Sequence, residues 1–318
     1  MEPEGRSETL MNGQPTTTGP AATKGWRVWW QLLRPHTLTA SFVPVLIGTA
    51  LAMPLTRIDI PLFLAMLTAS ILIQAATNMF NEYYDYKRGL DNEHSVGIGG
   101  AIVRHGVSPN TVMGIAVTCC GVSVLLGIYI CMESSWWLAV IGSICIAAGY
   151  FYTGGPLPIA YTPLGEVVSG LFMGMGIILI AFFIQTGTLT LDSLLVSIPI
   201  AILVGAILMA NNIRDREGDE KNGRKTLAIL LGHRGAVRFL AGMFIVSYLW
   251  VLILVLAGEV TPWILLVFLS IPKSIQAVRG FQGKTTNAEM APAMKFTAQV
   301  NTLFGFLLAV GLFLNQWI

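Results

Sequence analysis

IPLFLAMLTASILIQAATNMFNEYYDYKRGLDN, residues 60–92, begins as an apolar run and ends in a cluster of acids, amides and bases. The apolar part, 60–81, is long enough to cross a hydrocarbon core of about 30 Å as a helix. Its polar end sets Asn78, Asn81 and Asp85 at i, i+3 and i+7, on one helical face, with Asp91 just past Gly89 where helix gives way to loop. A second stretch has the same design. MANNIRDREGDEKNGRKT, residues 209–226, closes another apolar run with Asn211, Asp215 and Asp219 at i, i+4 and i+8. Both contain Asn-x-x-x-Asp, as Asn81–Asp85 and Asn211–Asp215, the mark of a duplicated four-helix unit. These are the inner ends of the second and sixth apolar runs, so both motifs fall on one side of a membrane.

Outward from these two stretches the chain reads as an all-α polytopic membrane protein. Of its 318 residues, 54% are hydrophobic and 11% charged, against about 25% charged in a soluble domain. Nine apolar runs follow, near 36–54, 60–81, 111–131, 135–151, 164–186, 191–211, 236–257, 260–278 and 296–316. With the N-terminus in the cytoplasm, all of the 19 Lys and Arg except Arg57 fall inside, as the positive-inside rule requires. That places the C-terminus outside. Trp26, Trp29 and Trp30 before the first run, and Trp136, Trp137, Trp263 and Trp317 near outer ends, suit the aromatic belts. Residues 1–25 are polar, without a signal-peptide pattern, and read as a disordered tail before a single membrane domain, 26–318. WRVWWQLLR, 26–34, reads as an amphipathic helix lying on the inner surface. Cys119, Cys120, Cys131 and Cys145 lack metal-ligand spacing and read as small core residues.

Two carboxylate clusters flanked by amides make a hard-oxygen site suited to Mg²⁺ rather than zinc. Magnesium is commonly held by one or two carboxylates plus substrate phosphates. Asp85, Asp91, Asp215 and Asp219 are therefore the expected metal residues. Lys87, Arg88, Arg214, Arg216, Arg224 and Lys225 stand close by in sequence to neutralise a diphosphate. A lone D-x-x-x-D on a charged loop is ordinarily just solvated. Two, each starting with Asn inside an apolar helix, mark function, because an Asn near membrane depth is costly.

Three weaker signals adjoin. HSVGIGGAIVRHG, 94–106, is glycine-rich and suited to wrapping a phosphate with backbone N–H groups. YTGGPLPIAYTPLGE, 152–166, lacks Lys and Arg though it faces inward, and reads as a re-entrant element whose Tyr152 and Tyr161 suit a carbocation; the bland alternative is a proline-stiffened connector. Glu166 is either a general base or, as first-turn acids usually are, a partner of the helix dipole. His36, His94, His105 and His233 read as helix-start, surface or loop residues.

The two motifs, with LRPHTLTASFVPVLIGTALA (33–52), GIGGAIVRHG, YTGGPLP (152–158) and LGE (164–166), resemble the intramembrane aromatic prenyltransferase (UbiA) superfamily, and within it the dihydroxynaphthoate branch of menaquinone biosynthesis. The resemblance runs from about residue 26 to the end. It implies nine transmembrane helices around a central cavity with a cytosolic cap. It also implies Mg²⁺ dependence, an allylic polyprenyl diphosphate donor and 1,4-dihydroxy-2-naphthoate as acceptor, losing CO₂ to give demethylmenaquinone. On matching positions Asn81, Asp85, Asp215 and Asp219 become the Mg²⁺–diphosphate residues. Asn78, Lys87, Arg88, Asn211, Arg214, Arg224 and Lys225 become diphosphate neighbours. Glu82 stands where the family has Asp, and Asp91 is shifted by two residues, which leaves open which of them touches metal. Nothing points to nucleic acid; the partners are the two substrates and the bilayer. The rivals are another aromatic or tetrapyrrole acceptor, a cation-binding transporter, and a phosphatidyl-alcohol transferase. A transporter would carry charge near mid-span, and the last would keep its acids in one motif.

Overall fold

The structure is a computed structural model and describes residues 25–89 and 100–315. The polar tail 1–24, Asp91, His94 and Trp317 lie outside the described residues. Every regular element described is helical. In chain order these are α1 (Trp26–Leu33), α2 (Pro35–Ala52), α3 (Ile60–Lys87), α4 (Pro109–Glu133), α5 (Trp137–Thr153), α6 (Gly165–Thr186), α7 (Leu191–Lys221), α8 (Leu227–Leu256), α9 (Pro262–Phe281) and α10 (Asn287–Leu314).

Each of the nine expected runs forms a helix, and the count of spans agrees approximately. Among the described residues seven helices, α3, α4 and α6–α10, are long and apolar enough to cross a membrane. An eighth is the pair α1–α2, bent by 61°. Helix α5, with 17 residues, falls short of that length. Boundaries also move outward. Helix α7 continues to Lys221 and α10 starts at Asn287. Hydropathy registers only the apolar part of a helix, while the hydrogen-bond ladder runs on through polar turns. Helix α8 starts at Leu227, ahead of the expected 236, and Gly232 (φ 66) interrupts its early turns.

Helix α1 behaves as its pattern dictates, with Trp26, Trp29 and Trp30 exposed and Val28 and Leu32 buried. Arg34 then turns the chain in a left-handed conformation (φ 51), and Pro35 opens α2. Among the seven long apolar helices, α7 has the best-buried apolar stretch. Two-thirds of its apolar stretch (67%) is covered by protein, against 22% for α4, which leaves α4 turned to lipid. Val43 and Ile47 of α2, Ile200 and Leu203 of α7, and Phe304 and Leu308 of α10 meet in the main core.

Without a strong hydrophobic force between helices in lipid, close packing depends on small residues. Helix α6 contains a π-helical segment, Gly170–Gly176. Its Gly174 lies so close to α7 that a Cβ there would sit 2.6 Å from the Ala201 Cα. The widened turn also carries Phe172 and Met173 to the wall of a central cavity. The four cysteines are free, with Cys131 buried and the rest half-buried.

Candidate active site at the meeting of two helix ends

A cavity of about 360 Å³ runs through the depth of the bundle between α2, α3, α4, α5, α6 and α7. Its polar end is lined by Arg34, Asn78, Asn81, Tyr152 and Asn211. Its far end reaches Cys131 and Trp136, where α4 finishes and α5 starts. Between them the wall is mainly small or apolar, including Ala69, Ser123, Gly127, Ile128 and Gly142. Such a shape accepts a long apolar chain with a charged head at one end.

At that charged end the two motifs meet. Arg224 donates from Nη2 to Asp85 Oδ1 at 2.9 Å and places Nη1 3.1 Å from Asp219 Oδ1. One guanidinium thus joins α3 to the loop after α7 across 139 residues of sequence. Local geometry explains its position. Gly223 (φ 76) closes α7 with a left-handed turn, and the Arg224 N–H returns to the Asp219 carbonyl at 3.0 Å. Burial disfavours the Arg224 charge, yet Asp219 and Asp85 outweigh it and raise its pKa above the ordinary arginine value. The Tyr161 ring lies 4.8 Å from the same guanidinium and 5.4 Å from that of Arg88.

The remaining first-motif residues divide between cavity and scaffold. Asn81 lines the cavity, and its Oδ1 accepts from the Thr153 hydroxyl at 2.8 Å. Asn78 is buried and spends its amide N–H groups on the Leu33 carbonyl and the Thr37 hydroxyl, both at 2.9 Å, pinning the α1–α2 turn to α3. Arg88 donates to the carbonyls of Thr153 and Gly155 at 2.6 and 3.0 Å, which fastens the loop after α5. Lys87 is exposed, with its ammonium 5.9 Å from the Tyr83 ring centre.

Glu82 is fully buried and takes the Gly100 N–H at 2.7 Å, the Ile102 N–H at 3.4 Å and Arg34 at 3.4 Å. It therefore holds scaffold and does not stand with Asp85 and Asp219. The same contacts correct the reading of the glycine-rich stretch. In its described part, from Gly100, the turn's N–H groups wrap Glu82 where a phosphate was expected.

On α7, Asn211 lines the cavity and Asp219 is buried. Asp215 is held otherwise. Arg214 grips both its oxygens, from Nε at 2.7 Å and from Nη2 at 2.5 Å, and the Asn287 amide lies 3.4 Å from Oδ1. The Lys225 side chain is exposed, while its N–H bonds the Tyr161 carbonyl at 2.9 Å. The 152–166 segment folds over the motif end, with a short 3₁₀ turn at Ile159–Tyr161. Tyr152 faces the cavity, whereas Tyr161 is absent from its wall and serves the two arginines. Glu166 is buried and accepts from the Asn212 amide at 2.9 Å.

Thr153, Asn212, Gln74 and Asn287 were not legible as site neighbours beforehand. Thr153, Asn212 and Asn287 act through partners 46 to 72 residues away, and no local spacing announces that, while Gln74 donates to Asn78 one helical turn on.

The donor set suits a hard cation. Among the described residues no three His, Cys, Asp or Glu converge on one point. Magnesium does not require three, because phosphate oxygens and water complete its octahedron. Asp85 and Asp219 already turn their carboxylates toward one shared positive charge, and Asp215 stands one helical turn before Asp219.

Residues 41–303 match the UbiA prenyltransferase family, and the chain belongs to that family. Over 94% of its length it is 59% identical to the 1,4-dihydroxy-2-naphthoate octaprenyltransferase of Bacillus subtilis (strain 168), covering 96% of that protein. It is 30% identical to UbiA prenyltransferase domain-containing protein 1 of Gallus gallus, over 93% of this chain and 88% of the other. Two solved structures share the fold. One is the apo form of a UbiA homolog from Aeropyrum pernix K1 (TM-score 0.66, 15% identity, 89% of this chain and 98% of that one). The other is a UbiA homolog from Archaeoglobus fulgidus bound to DMAPP and Mg²⁺ (TM-score 0.59, 16% identity, 89% and 99%).

Proposed function

We propose that this multi-pass membrane protein transfers a polyprenyl chain from an allylic diphosphate to 1,4-dihydroxy-2-naphthoate, with loss of the ring carboxylate, in menaquinone synthesis. The observation that carries the reading is the Asp85–Arg224–Asp219 bridge at the mouth of a deep apolar cavity. The acceptor comes from the name of the Bacillus subtilis relative and its 59% identity.

In this reading Asp85, Asp215 and Asp219 hold Mg²⁺, and Asp91 is assigned to the same set from its place in the motif. Magnesium, when bound, neutralises the diphosphate and makes it a better leaving group. Arg224 is the cation best placed for the phosphate oxygens, with Asn81 and Asn211 on the cavity wall beneath. Arg88 acts one step back, by fastening the loop that carries Thr153. Tyr152 lines the cavity, and its ring is the aromatic group assigned to the positive charge that develops on the allylic carbon. The apolar wall excludes water, which would otherwise capture that cation. The prenyl tail follows the cavity toward Trp136. All Lys and Arg but Arg57 belong to the cytoplasmic side under the positive-inside rule, so the motifs and N-terminus face the cytoplasm and the C-terminus the outside of the cell membrane.

The test is purified protein with Mg²⁺, a labelled polyprenyl diphosphate and carboxyl-labelled dihydroxynaphthoate. The expected result is a prenylated naphthoquinol and labelled CO₂ in equal amounts. Turnover with 4-hydroxybenzoate or haem, and none with dihydroxynaphthoate, would overturn the acceptor assignment.

A further inference from the structure

A second cavity, of about 290 Å³, lies at the motif end between α7, the start of α8 and the α9–α10 turn, and shares no lining residue with the first. Five of the residues around it carry basic side chains: Arg214, Arg216, His233, Arg234 and Lys284. One acid lines it, Glu217, which is exposed and lies 3.5 Å from Arg216. Arg216 also faces Glu220 at 3.8 Å, so its charge is already balanced. His233 is engaged with the Phe281 carbonyl at 2.9 Å. Arg234 and Lys284 have no ion-pair partner among the described residues.

Arg214 makes this more than a patch of solvated bases. It is 7% exposed, its Nε and Nη2 are committed to Asp215, and its Nη1 has no hydrogen-bond partner among the described residues. A buried donor left without an acceptor is costly. A ligand rich in acceptor oxygens relieves that cost and also neutralises Arg234 and Lys284. Thr285 and Asn287 line the same space and add neutral donors.

We propose that this pocket binds a phosphate-type anion, either free phosphate or diphosphate or the phosphate of an anionic lipid headgroup. A carboxylate fits less well, since two oxygens do not meet a buried guanidinium and two further cations, one on α8 and one in the α9–α10 turn. The site is distinct from the cavity that Asp85 and Asp219 guard. It touches that machinery only through Asp215, which is gripped by the Arg214 guanidinium and approached by the Asn287 amide, both lining the pocket.

The experiment uses the full chain in detergent, without Mg²⁺ or prenyl substrate, at constant ionic strength. Inorganic phosphate is titrated while the thermal midpoint is followed, with chloride as reference. The wild type should show a saturable rise. The double variant Arg234→Gln/Lys284→Gln, which leaves the prenyl-transfer residues in place, should weaken apparent binding about tenfold or more. The single variant Lys284→Gln stands in if the double variant does not fold, with a loss of about threefold. A parallel series in nanodiscs separates the sources. A rise with phosphatidylglycerol over phosphatidylcholine, lost in the variants, assigns the lipid headgroup; a rise with added phosphate in phosphatidylcholine assigns the free anion. Equal shifts in wild type and variants, or no shift with either source, would overturn the proposal. No arm depends on turnover, so failure here is separate from failure of the prenyl-transfer reading.

Discussion

The polar ends of α3 and α7 carry the same Asn-x-x-x-Asp spacing, and the fold employs them unequally. On α3 the second member, Asp85, reaches the shared arginine, while the intervening Glu82 is buried in the scaffold with Gly100 and Arg34. On α7 the corresponding Asp215 is gripped by its neighbour Arg214, and the acid one turn later, Asp219, meets Arg224. Equal spacing therefore does not give equal position. Where each helix stops decides which turn faces the partner, and α7 runs on to Lys221 before Gly223 brings Arg224 back.

The sharpest way to break this comparison is to neutralise the two acids that meet. Asp85→Asn and Asp219→Asn should each lower turnover about 10²–10³-fold, the loss typical of removing one electrostatic contact in a dry site. Circular dichroism should remain that of wild type. A collapse in only one of the two would show that their meeting has no catalytic meaning.

Glu82→Ala tests the structural half of α3. Removing a buried acceptor that holds two backbone N–H groups and the half-buried Arg34 should cost about 2–3 kcal/mol of stability. The thermal midpoint should fall while turnover per folded molecule stays within about twofold. Normal stability with lost turnover would instead make Glu82 a metal ligand.

Asp215→Asn sharpens the α7 side. Because Arg214 already shares that carboxylate, its loss should raise the Mg²⁺ requirement about tenfold, equivalent to about 1.4 kcal/mol. An unchanged Mg²⁺ titration would remove Asp215 from the metal site.

Smallest is the effect of Tyr161→Leu, which removes a ring shared by Arg88 and Arg224. One cation–π contact is worth about 1 kcal/mol when partly desolvated. KM for the prenyl diphosphate should rise about fivefold, and Tyr161→Phe should restore it. A kcat loss with unchanged KM would contradict the assignment of Tyr161 to the arginines.

Much of the molecule was legible from order along the chain. Apolar runs of membrane length, broken by charge, reveal the helices, because each helix satisfies its own backbone and hydrophobic length is a local property. The facing of two acidic ends was also inferable, from the even number of runs between them. The 17-residue α5 sits at the lower edge of membrane length, so length and hydropathy give the number of spans only approximately. The glycine-rich stretch misled for a different reason. Its N–H groups suit any anion, and Glu82, only 18 residues before Gly100, reaches the described part of the turn.

What the sequence by itself determined is the membrane, the helices and the class of chemistry, since each rests on residue type and near-neighbour spacing. Tertiary structure alone decided the division of labour: Arg224 between Asp85 and Asp219, Glu82 in the scaffold, Tyr161 on the arginines. The reason is physical. A carboxylate is identical in every context along the chain, and only the partner that packing brings to it determines whether it steadies the bundle or meets a substrate.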